Sequence, residues 1–103
     1  MGGFSTSEHN ASVRGFIMRC LVQGYHYSYT VKGLSNKLVS AGLISTPDIS
    51  SYLYYLIESG FIVFTESNVT AFNALEKDAV ARLTLDGIKF IESGGNPDMG
   101  IDL

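Results

Sequence analysis

Residues 34–64 read LSNKLVSAGLISTPDISSYLYYLIESGFIVF. Leu34, Leu38 and Ala41, with Val31 just ahead, recur at the spacing of one helix face, while Lys32, Asn36, Lys37 and Ser40 fall on the other. Gly42 ends that helix, and the apolar pair Leu43 and Ile44 follows. Thr46-Pro47-Asp48 then supplies a hydroxyl cap, a proline at the first helical position and an acid in the first turn. The next helix turns Ile49, Leu53, Leu56 and Ile57 inward and Ser50, Ser51, Tyr54, Tyr55 and Glu58 outward. It stops at Ser59-Gly60, and the β-branched and aromatic run FIVFTE (61–66) has strand character. The stretch therefore predicts two helices joined by a few residues, then a strand.

Upstream, Val13, Phe16, Ile17, Cys20 and Leu21 keep helical spacing from Ser12, and Gly24 closes that helix. Residues 1–11, rich in Gly, Ser, Thr and Asn, read as a flexible tail. In YHYSY (25–29) aromatic and small polar groups alternate, which suits a short strand or an extended linker with Tyr25, Tyr27 and Tyr29 on one side. Thr30 is placed to cap the helix from Val31. Downstream, AVARLTL (79–85) predicts a strand antiparallel to the first, across a loop of roughly Ser67 to Lys77 that is long for a hairpin. Thr84 caps a last helix over 85–93, closed by Gly94-Gly95-Asn96-Pro97. The expectation is one α+β domain over 12–94 with a C-terminal tail over 95–103.

A chain of 103 residues with 46% hydrophobic content suffices for one core without disulfides or a structural metal. The single cysteine, Cys20, reads as a small apolar residue and fits a reducing compartment. No stretch approaches the roughly 20 apolar residues that span a bilayer, so a cytoplasmic protein is expected, away from membranes. His9 and His26 stand without carboxylate or cysteine partners at ligand spacing. No Ser/His/Asp set, phosphate-binding glycine loop or paired carboxylates on one face can be read, so neither an enzyme nor a cofactor is expected. Met18 and Val22 fall on the outer side of the first helix, and Phe90 leaves the line set by Ile88 and Ile91. That apolar patch predicts a homodimer through the first and last helices.

The order helix, helix, helix, two strands, helix, with the capped third helix ending in Gly before an apolar strand, resembles the winged helix-turn-helix superfamily. More narrowly, Leu83-Thr84, Gly87 and the tail GGNPDMGI resemble a small family of winged-helix proteins of Mu-like bacteriophages and prophages. The likeness spans residues 12 to 101 and rests on apolar positions, glycines and caps, which specify a fold better than an activity. It implies a DNA-binding protein, a transcriptional regulator or a phage accessory factor, with double-stranded DNA as partner. The third helix would then lie in the major groove, with Pro47, Ser50, Ser51, Tyr54 and Tyr55 facing DNA. Lys32 and Lys37 of the second helix and Lys77 and Arg82 beside the wing would contact phosphates.

Charge points the other way. Seven Lys and Arg against ten Asp and Glu give a net charge of −3, where a dedicated DNA-binding domain carries a basic footprint. No arginine stands on the third helix, and Asp48 at its start repels phosphate. Tyrosines on a half-exposed helix face, here Tyr52, Tyr54 and Tyr55, cover a neighbouring surface more often than they stack on bases. The alternative is therefore a winged helix used for protein–protein contacts without DNA.

Overall fold

Hydroxyl caps start two of the helices and glycines end three of them. The computed structural model describes residues 2–103, an α+β fold of four α-helices and a three-stranded antiparallel sheet. The helices are α1 (Gly2–Gln23), α2 (Val31–Ser40), α3 (Ser50–Glu58) and α4 (Leu85–Glu92). The strands are β1 (Ser28–Thr30), β2 (Ile62–Phe64) and β3 (Val80–Leu83). Thr30 Oγ1 accepts the Gly33 N–H at 3.0 Å and so caps α2. Thr84 Oγ1 accepts the Gly87 N–H at 3.0 Å and caps α4, while its hydroxyl donates to the Gly60 carbonyl at 2.6 Å. One side chain thus starts α4 and ties it to the end of α3.

Gly60 stands at φ +82°, a left-handed conformation that costs a residue without Cβ little. It lets the Phe61 N–H return to the Leu56 carbonyl and the Gly60 N–H to Ile57, which satisfies the last carbonyls of α3. The same arrangement ends α2 at Gly42 and α4 at Gly94.

β3, the last strand in the chain, is the middle of the sheet. Tyr29 pairs with Ala81 on one side and Phe64 with Ala81 on the other. Ala81 and Leu83 point inward with Ile62, so Arg82 and its cross-strand neighbours Ser28 and Val63 share the outer face. The core under the sheet joins Val13, Ile17, Met18 and Leu21 of α1 with Val31, Leu34 and Leu38 of α2 and Leu53 and Leu56 of α3. Each large aliphatic side chain buried there contributes about 1.5–3 kcal/mol.

Several expectations need correction. Helix α1 begins at Gly2 and not at Ser12, so residues 2–11 are helical and not a tail; Met1 lies outside the described residues. The C-terminal segment is also folded: Ile101 is buried, and the Asp102 N–H donates to the Ala11 carbonyl at 3.0 Å. A Cβ at Gly15 would collide with the Asp102 carbonyl, so this glycine lets the segment lie directly on α1. YHYSY divides into a 3₁₀ turn over Tyr25–Tyr27 and β1, with His26 and Tyr27 at positive φ. Tyr25 and Tyr27 are exposed while Tyr29 is half-buried, so the three do not share one environment.

The α2–α3 connection is longer than expected, because residues 41–49 are all non-helical. Thr46 caps nothing; α3 starts at Ser50, where Asp48 Oδ1 accepts the Ser50 N–H at 3.0 Å and the Ser50 hydroxyl at 2.7 Å. Pro47 belongs to the turn, its carbonyl accepting the buried Ser35 hydroxyl at 2.7 Å, and Ala41 is exposed rather than buried. Met18 is fully buried, and Phe90 stacks on Phe61 with centroids 4.5 Å apart. The apolar patch that suggested pairing through α1 and α4 is therefore taken up by the chain's own core.

Candidate nucleic-acid interface

Helix α3 is nine residues long and carries no lysine or arginine. Leu53 and Leu56 fix its inner side, which leaves Ser51 and Tyr54 exposed on the opposite one. Of the five residues expected to face DNA here, the structure keeps Ser51, Tyr54 and the exposed Pro47 available. Ser50 is half-buried and engaged by Asp48. Tyr55 turns away from the outer face: its hydroxyl donates to the Met99 carbonyl at 2.6 Å, and the Arg14 guanidinium lies over its ring. Its work is to hold the C-terminal segment.

The hydrogen bonds from the Ser50 hydroxyl and backbone hold the Asp48 carboxyl below its ordinary pKa. The start of α3 is therefore anionic at neutral pH, where a phosphate contact would need the reverse.

The expected cations do not form one patch. Lys32 and Lys37 lie five positions apart on α2, which sets them roughly 140° apart around the helix. Lys32 is exposed at the N-terminal end of α2. Lys37 is exposed as well, and its Nζ lies 5.6 Å from the centroid of the Tyr29 ring of β1. Cys20 of α1 is a neighbour: burial raises its thiol pKa, and the charges of Lys37 and Arg19 offset part of that rise. Lys77 is exposed in the loop before β3 between Glu76 and Asp78, so its charge is locally balanced. Arg82 stands exposed on the outer sheet face. Lys32 and Arg82 remain as exposed cations without such local competition.

The sequence reading missed a groove between α3 and the loop from β2 to β3. Its volume is about 540 Å³, and Tyr54, Val63, Val69 and Phe72 line it together with Glu58 and Glu66. Phe72 is 70% exposed and Tyr54 49%, with ring centroids 5.7 Å apart. The signal was present in the sequence: Phe72 is a lone aromatic among polar and small loop residues, and Thr70 and Asn73 around it are turn formers.

Among the described residues, no group of three or more His, Cys, Asp or Glu side chains is placed to hold a metal ion, and no helix is long and apolar enough to cross a membrane. Compared with models of protein families, with curated proteins and with solved structures, the chain matches none.

Proposed function

We propose that this chain is a winged-helix domain that binds double-stranded DNA, with α3 as the recognition helix and the loop between β2 and β3 as the wing. In this reading it acts as a transcriptional regulator or as an accessory factor of the Mu-like phage type. The observation that carries it is the order α1, β1, α2, α3, β2, β3, with β1 closing on β3 beside the hairpin and the outer face of α3 left uncovered. Ser51 and Tyr54 then offer hydroxyls to base edges, while Lys32 and Arg82 meet phosphates on either side.

The test is duplex binding by anisotropy over a range of salt. Each phosphate contact contributes about 0.9 to the slope of log affinity against log salt. Lys32→Glu and Arg82→Glu each flatten the slope and weaken all duplexes alike, whereas Lys37→Glu leaves both unchanged. Ser51→Ala changes preference among sequences instead. A parent protein without salt-sensitive binding overturns the reading.

A second reading, a winged helix that binds protein and not DNA, is favoured by one observation. The carboxylates Asp48 and Glu58 bracket α3 and Glu66 follows β2, so the exposed face of the helix is acidic.

A further inference from the structure

We infer that the groove between α3 and the 65–79 loop is a docking site for a basic protein segment, one with an aromatic or branched apolar side chain flanked by Lys or Arg. This goes beyond DNA recognition: it shares Tyr54 with that reading, but it rests on Phe72, Glu58 and Glu66 and needs none of the cations assigned to phosphates.

The loop is built to hold Phe72 outward. Asn73 Oδ1 accepts the Thr70 N–H at 2.8 Å, and Thr70 Oγ1 accepts the Phe72 N–H at 3.2 Å. Ala71 and Ala74 on either side are buried, and the Ala79 N–H closes back to the Ala74 carbonyl at 3.0 Å. Phe72 is thus fixed from both flanks and still 70% exposed, with Tyr54 as its ring neighbour. An aromatic anchor presented on an ordered turn loses little conformational freedom on binding, which is what the energetic centre of an interface requires. Val63 and Val69 supply the rest of the apolar lining.

Charge selects the occupant. Glu58 and Glu66 line the same groove, and no Lys or Arg does. Anionic lipid surfaces are disfavoured within the groove by Coulomb repulsion, and so is a second copy of a chain whose net charge is −3. A cationic segment instead meets two carboxylates at the edge of an apolar trough. Such electrostatic complementarity sets specificity, while the apolar anchor supplies affinity.

The probes are two short synthetic peptides with the same Leu and Phe anchors, one flanked by lysines and one by glutamates. They are titrated into the full chain and followed by amide chemical shifts and by anisotropy. The lysine peptide binds about tenfold tighter or more than the glutamate peptide, a difference of about 1.4 kcal/mol. Its shifts centre on residues 54–58 and 63–72. Phe72→Ser, which removes an exposed side chain and leaves the core intact, weakens the lysine peptide about tenfold. Glu58→Gln with Glu66→Gln removes the preference between the peptides.

Equal affinity for the two peptides, no saturable binding of the lysine peptide, or shifts centred elsewhere overturns the proposal. So does a concentration-dependent dimer in sedimentation that Phe72→Ser abolishes, because the groove would then belong to a second copy. Duplex binding by the Glu58→Gln, Glu66→Gln variant, measured alongside, keeps the two readings separate: Lys32-dependent DNA binding survives failure of the groove, and peptide binding survives failure on DNA.

Discussion

The guanidinium carbon of Arg14 lies 3.6 Å from the centroid of the Tyr55 ring, joining α1 to α3 through a cation over an aromatic face. Both side chains also reach the C-terminal segment. Arg14 Nη1 donates to the Gly100 carbonyl at 3.0 Å and the Tyr55 hydroxyl to the Met99 carbonyl at 2.6 Å. Arg14 Nε is buried beneath them without a hydrogen-bond partner, a cost the arrangement carries. Tyr55→Phe keeps the ring and deletes one hydrogen bond, so urea denaturation records a loss of about 1 kcal/mol. Arg14→Ala loses the cation–π contact and its hydrogen bond together and falls further, by about 2 kcal/mol. Duplex binding by folded Tyr55→Phe equals that of the parent, since this tyrosine serves the C-terminal segment and not the outer face of α3.

Thr84 and Thr46 make an opposed pair. Thr84→Ala removes the cap of α4 and the bond to Gly60, and the midpoint of denaturation records about 1–2 kcal/mol. Thr46→Ala, at an exposed turn position outside α3, stays within about 0.5 kcal/mol of the parent. Equal losses at the two sites would show that α3 extends back to Thr46.

These two threonines also show what was legible in the sequence. Thr30 and Thr84 each stand directly before an apolar pattern of helical period and both cap, so α2 and α4 were readable to within a residue. Thr46 likewise stands before a helical pattern, but the buried Ser35 takes the Pro47 carbonyl and Asp48 takes Ser50, and the helix begins later. A tertiary hydrogen bond from another helix overrode a local signal. Residues 2–11 lack helix-favouring composition, and their helix has its partner at the far end of the chain, where Asp102 bonds Ala11. Of the candidate interface, Ser51, Tyr54, Lys32 and Arg82 were legible as outward positions. Lys37 was legible as outward too, but its place beside the Tyr29 ring and the exposure of Phe72 were not, because periodicity says which side of an element is buried but not what its neighbours leave open.

Met18 tests the assignment of α1. It was expected on the outside and is fully buried against the core. Met18→Ala leaves a cavity and destabilises by about 2–5 kcal/mol, measured by thermal or urea unfolding. A loss below about 0.5 kcal/mol would return this side chain to the surface.

Asp48 gives the start of α3 an acid limb in its stability. Its pKa in the folded chain lies below its unfolded value, so its contribution is complete above the unfolded value and disappears as pH falls through the folded one. Ser50→Ala removes the larger of the two causes and moves the Asp48 titration, followed by carboxyl NMR, upward toward the ordinary aspartate range. The carboxylate is exposed, so the change in overall stability is small, and the titration itself is the measurement to make.

The middle position of β3 has a consequence for how the chain comes together in time. The Ser28–Arg82 and Tyr29–Ala81 pairings join segments separated by two helices and β2, so β1 has nothing to pair with until nearly all the intervening chain has been gathered. Closing so large a loop is entropically slow, and the reward comes only when β3 slots between both neighbours. The contacts of α1 with α2 and with α3 lie closer in sequence and are the economical nucleus. Substitutions that weaken β3, such as Ala81→Gly, therefore accelerate unfolding and leave the folding rate nearly untouched, making the sheet the clasp that closes last and opens first.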